Sequence, residues 1–116
     1  MQRAHINQIA GAFPGAEWSE PFGPGHDVWK VGGKIFAAIG AKGAGVTVKC
    51  PDTDTAQMLI DAGVGVKAPY FHRSWIMLPM EKLTEDELRH RLAISYDVIR
   101  ASLTKKAQAL LPLREG

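Results

Sequence analysis

Four histidines, one cysteine and twelve acids are the residues with which this chain would bind a metal or move a proton. His5, His26, His72 and His90 do not pair at i, i+4 or follow any zinc-ligand spacing, and Cys50 has no second thiol, so no N/S metal site can be drawn. His26-Asp27 reads as a turn dipeptide with no nucleophile beside it. Ser95-Tyr96-Asp97 has no positioned base, and Tyr96 is expected to pack its ring and give its hydroxyl a polar partner. Gly40, Gly43 and Gly45 come in the wrong order for a dinucleotide fingerprint and lead into a strand rather than a helix N-terminus. Cys50 is expected on the inward side of its strand, as a buried structural thiol. The expectation is therefore a non-enzymatic chain with no metal and no cofactor.

The chemistry that does gather is cationic and aromatic. Between residues 28 and 50 stand Lys30, Lys34, Lys42 and Lys49 without a single acid, and Lys67 and Arg73 extend the series. The acids lie elsewhere: Glu17, Glu20, Asp52, Asp54, Asp61 and the group from Glu81 to Glu87. Tyr70, His72, Arg73 and Trp75 form the densest polar-aromatic cluster. Lysines neutralise phosphates and release counterions, and rings stack on unpaired bases. The cluster fits a stacking and phosphate-contacting rim. It fits equally a core edge with Trp75 packed and Arg73 paired to an acid, and the sequence leaves the side taken by Trp75 open.

The elements that must position these groups follow from spacing. Ile6, Ile9 and Ala10 make one stripe of a helix over residues 2–12, stopped by Pro14-Gly15. Phe13 to His26, with three prolines and three glycines, reads as a long loop. Val28–Val31, Lys34–Ile39 and Val46–Cys50 read as a three-stranded meander with a Gly32-Gly33 hairpin turn. A helix starts after a cap at Asp52 or Thr53 and ends at Ala62-Gly63. Val66-Lys67 is a short strand candidate, and Ser74–Leu78 a stronger one. Thr84 and Glu87 form a capping box for the longest helix, which carries Leu88, Leu92, Ser95, Tyr96, Ile99 and Leu103. Lys105–Leu111 adds a short terminal helix.

The pattern is α+β: an antiparallel sheet of about four to five strands with helices on one face and the other face open. At 116 residues, residues 1–116 make one domain. A net charge of +2 demands neither nucleic acid nor membrane, and no apolar run approaches the ~20 residues that cross a bilayer. The lone cysteine and the absence of a signal-like start fit a reduced, soluble, cytoplasmic domain with no membrane partner.

Strand alternation then sorts side chains. Taking Lys49 as the marker of the open side, the two-residue period places Lys30, Lys34, Phe36, Thr47 and Lys49 there, and Trp29, Val31, Ile35, Ala37, Ile39, Val46, Val48 and Cys50 toward the helices. A lysine-rich strand face is also what a merely solvated, aggregation-resistant sheet carries.

Several stretches resemble the MmcQ/YjbR-like family when taken in order. They are Phe13-Pro14-Gly15, Pro21-Phe22-Gly23, Asp27 through Ala37, Val46 through Cys50, Ala68-Pro69-Tyr70 through Arg73-Ser74-Trp75-Ile76, and Ser95-Tyr96-Asp97. The resemblance covers about residues 13–106. It implies a CyaY-like fold, similar to frataxin, and a DNA-binding role through a double wing of strands and loops. Carried over by position, it points to Lys34, Lys49, Tyr70, Arg73 and Trp75. Frataxin's iron binding uses an acidic helix ridge. The first helix here has no Asp or Glu, so iron is not expected to come with the fold.

The leading expectation is a nucleic-acid-binding domain, with DNA as partner, using Lys30, Lys34, Lys49, Lys67, Tyr70, His72, Arg73 and Trp75. The longest helix begins with acids and turns its leucines inward, so it is no recognition helix. One rival is a protein-interaction module that docks an acidic partner on the same face. Another is a small-ligand pocket near Tyr70, His72 and Trp75.

Overall fold

The computed structural model describes residues 1–114; the last two positions of the chain, part of the residues 1–116 expected to make one domain, lie outside them. Helix α1 (Arg3–Gly11) leads to a three-residue strand β1 (Glu17–Ser19), then β2 (Asp27–Val31), β3 (Lys34–Ile39) and β4 (Gly45–Lys49). Helix α2 (Thr53–Asp61) follows, then β5 (Val66–Lys67) and β6 (Trp75–Pro79). A 3₁₀ turn (Met80–Lys82), the long helix α3 (Glu85–Ala101) and a short α4 (Lys105–Ala109) complete the chain. The six strands form one sheet in the order β1-β2-β3-β4-β6-β5, and every neighbouring pair is antiparallel. The strand count exceeds expectation because β1 lies inside the Pro/Gly-rich segment, where three residues are too few to show a period.

Helices α1, α2 and α3 each bury one stripe against the same face, while α4 buries no residue. Leu88, Leu92, Tyr96 and Ile99 of α3, Ile6, Ile9 and Ala10 of α1, and Ala56 and Leu59 of α2 share a core with Val31, Ala37, Ile39, Val46, Val48, Ile76 and Leu78 of the sheet. Each such side chain contributes about 1.5–3 kcal/mol when fully buried. Phe13, Phe36 and Tyr96 form an aromatic triangle with ring centroids 5.0–5.8 Å apart, and the Tyr96 hydroxyl donates to the Pro14 carbonyl at 2.6 Å. Asp52 caps α2 by accepting from the Thr55 amide at 2.7 Å. Thr84 caps α3 by accepting from the Glu87 amide. Only half of the expected capping box forms, since the Glu87 carboxylate holds Arg91 instead. Gly32 and Gly33 turn the β2–β3 hairpin at φ +56° and +83°, and a Cβ on Gly32 would sit 2.5 Å from Leu103, so glycine is required there on both counts.

One irregularity re-aims the side chains of β3. Trp29 pairs with Ala37, but Lys30 pairs with Ile35, so Phe36 is the extra residue of a β-bulge. Both Phe36 and Ala37 consequently face the core, at 0 % and 1 % exposure. Before the bulge the alternation is inverted: Ile35 takes the face away from the helices, and Lys34 takes the helix flank. This corrects the two-residue-period expectation at three positions. Lys34 and Phe36 are not on the open face, and Ile35 is.

Candidate nucleic-acid interface

The face that the helices leave bare can be followed row by row through the ladder. One row crosses all six strands: Ser19, Val28, Ala38, Thr47, Met77 and Val66, each paired with the next. It carries no charge, and Val28, Ala38 and Thr47 are buried within it. The adjacent row carries the charge. Glu17 pairs with Lys30 and Lys30 with Ile35, while Lys49 pairs with Trp75. Lys30 and Lys49 each follow the residue of their strand (Trp29 and Val48) that pairs with Ala37. They therefore stand level on either side of β3, about 10 Å apart at two strand spacings. Among the described residues no carboxylate lies within ion-pair distance of Lys30, Lys49 or Arg73.

The β5–β6 connection builds the end of this row. The Lys49 ammonium sits 5.8 Å from the centre of the Trp75 ring, within cation–π range, and the Phe71 ring packs on Trp75 at 4.9 Å. Trp75 is half-buried, on the open side of β6, so its side is settled: it is a rim residue whose inner edge touches the core. Lys49 Nζ also donates to the Ser74 hydroxyl. The Ser74 amide donates to His72 Nδ1 at 3.1 Å. That makes Nδ1 an acceptor, so the Ser74 hydroxyl donates to it at 2.8 Å and the ring proton resides on Nε2. An amine and an imidazole on one serine are the partners of a nucleophile, but Ser74 is only 3 % exposed. The chain of bonds holds the loop and the lysine rather than presenting an oxygen to a substrate.

The structure divides the sequence-derived residues into two groups. Lys30, Lys49 and Trp75 share the row; His72 joins it through Ser74, and Arg73 and Tyr70 stand exposed on the same connection. Lys34 and Lys67 do not belong. Lys34 Nζ donates to the carbonyl and hydroxyl of Ser102, the residue that caps the C-terminus of α3, at 3.3 and 3.2 Å, where a cation complements the helix dipole. Lys67 pairs with Ile76, whose side chain is in the core, and so lies on the helix flank of the edge strand. Phe71 and Ser74 complete the site and were not singled out in the sequence; the signal available was their place between Tyr70 and Trp75. Ser95, in the sequence a helix-face position and part of a Ser95-Tyr96-Asp97 group with no base beside it, supports Lys49 from behind: its hydroxyl accepts the Lys49 amide at 2.9 Å.

Elsewhere, burial pushes the Cys50 thiol up, as expected of an inward structural thiol. Two grooves, of about 450 and 360 Å³, lie on other parts of the surface. The first runs between α1 and α3 beside Phe13, Arg89 and Arg114, and the second lies beside Lys82, Thr84 and Glu87. No group of three metal-ligating side chains occurs among the described residues, nor any helix long and apolar enough to cross a membrane.

The YjbR family model matches residues 11–98. The chain is 31 % identical over 107 residues to the uncharacterized protein YbdF of Escherichia coli O157:H7, covering 87 % of this chain and 86 % of that protein. Its fold is similar to the crystal structure of Deinococcus radiodurans protein DR2400, a DUF419 domain, with a TM-score of 0.79 at 16 % identity over 91 % of this chain and 84 % of that one.

Proposed function

The chain belongs to the YjbR family, and from that premise we propose that it is a non-enzymatic, cytoplasmic nucleic-acid-binding domain, with DNA as ligand, that uses the sheet face away from the helices. The observation that carries the reading is the row in which Lys30 and Lys49 stand on either side of β3, with Trp75 beside Lys49 and, among the described residues, neither lysine ion-paired, not even Lys30 with Glu17 opposite it. Arg73 and Tyr70, exposed on the adjoining connection, enlarge it. The patch is smaller than the lysine count alone suggested, because Lys34 and Lys67 serve the other flank. Three cations on phosphates give a slope of about −2 to −3 in log affinity against log salt.

The test is a fluorescence anisotropy titration of the purified chain with labelled short DNA at about 50 and 200 mM salt. The expected result is a loss of roughly 15- to 60-fold between the two. No binding at low salt rejects the reading, and binding indifferent to salt rejects its electrostatic mechanism.

A further inference from the structure

Resting on that reading, we infer that the ligand of this face is an unpaired strand rather than a duplex. Tyr70 stands on the connection between β5 and β6. Its ring is fully exposed, at 104 % of the reference surface, and its backbone is held at φ +70°, the one non-glycine residue in the left-handed region among those described. An aromatic residue there is strained by about 1–2 kcal/mol, and strain of this kind persists only where the surroundings over-determine it. The surroundings do so. The Phe71 amide is tied to the Ala68 carbonyl, the Trp75 amide to the His72 carbonyl and the Cys50 amide to the Ser74 carbonyl. Phe71 is clamped on Trp75, and His72 is bonded to Ser74. A bulky ring is thus presented to solvent from a fixed connection, three residues before the exposed Arg73 on the segment that leads into β6.

A duplex offers such a ring no base face unless a step is prised open at a cost of a few kcal/mol. Its bases hide their π-faces in the stack, and their edges are read from the grooves by an inserted helix or ribbon. Here the helices lie on the far face, and α3 begins with Glu85, Asp86 and Glu87, which would meet phosphates with the wrong sign. An open sheet face with lysines for the backbone and a ring for a base matches the chemistry of unpaired strands. The commitment is to one stacked base at Tyr70 and phosphates on Arg73, Lys49 and Lys30.

The experiment compares an oligo-dT 12-mer with the dT·dA duplex of the same length, by anisotropy at low salt, for the natural chain, Tyr70→Ala and Tyr70→Phe. The single strand is expected to bind at least 10-fold more tightly. Tyr70→Ala should weaken single-strand binding about 5- to 100-fold and leave the duplex unchanged, while Tyr70→Phe should keep the natural affinity. Because Tyr70 is fully exposed, both variants should melt within a few degrees of the natural chain. Equal or tighter duplex binding overturns this inference and leaves the nucleic-acid reading standing, as does an unchanged single-strand affinity in Tyr70→Ala. Failure of both oligonucleotides to bind overturns the two together.

Discussion

The Ser95 hydroxyl of α3 donates to the Phe36 carbonyl of β3 at 2.7 Å. It also accepts the amide of Lys49 on the next strand at 2.9 Å. The β3–β4 ladder ends at the Ala37–Val48 pair, beside the Phe36 bulge that β3 makes against β2, and one helix side chain bridges the two strands there. Ser95 is fully buried, so the two backbone groups it serves have no water to replace it. Ser95→Ala should cost about 2–4 kcal/mol, one desolvated orphan on each strand, read as a lower urea midpoint with little change in slope. A loss under about 0.5 kcal/mol would mean that the bulge is satisfied some other way.

Asp27 ties α1 to the sheet. Partial burial alone would raise its carboxyl, but hydrogen bonds from Arg3, Asn7 and Trp18 outweigh that and hold it below the usual carboxylate range; the Arg3 contact is 2.5 Å and the Trp18 contact 2.7 Å. A carboxyl with a lowered folded pKa stabilises fully above its unfolded pKa of about 3.9, and the contribution fades as pH falls through the folded value. Asp27→Asn should therefore be less stable than the natural chain at pH 7, by about 2 kcal/mol. The gap should close below about pH 4 in thermal melts taken from pH 7 to 2.5. A gap that stays constant with pH would contradict this.

The backbone of Tyr70 sets stability against binding. Asparagine tolerates the left-handed region that tyrosine strains to occupy. Tyr70→Asn should raise stability by up to about 1 kcal/mol, roughly 3–5 °C in melting temperature for a chain of this size, while weakening attachment to DNA. A drop in melting temperature would show that the ring is held by contacts that its exposure does not reveal.

The sequence showed most of the architecture because long periodic segments announce themselves. The stripe of Leu88, Leu92, Tyr96 and Ile99, the Gly32-Gly33 turn and the alternation of Val46 to Cys50 each express one physical requirement over several residues. The site was legible only in part, and for the lysines of the meander the reason lies at one residue. Period-two sorting is correct for Lys30 and Lys49 and fails for Lys34, because the single bulge at Phe36 inverts everything N-terminal to it on β3. No residue type at Ile35-Phe36-Ala37 announces a bulge. Its support, Ser95, is distant in sequence and looks like an ordinary helix position. Likewise, the hydrogen bonds that fix Ser74 and expose Tyr70 depend on a left-handed backbone that tyrosine does not advertise.

The most direct test of the proposed face is to neutralise its lysines against those on the other flank, measuring how DNA affinity varies with salt. Lys30→Gln and Lys49→Gln should each reduce the slope by about 0.7–0.9 and weaken binding at low salt. Lys34→Gln and Lys67→Gln should leave slope and affinity as they are, with Lys34→Gln loosening only the contact at Ser102. Equal losses from Lys34 and Lys30, or no loss from Lys30 and Lys49 together, would contradict the account.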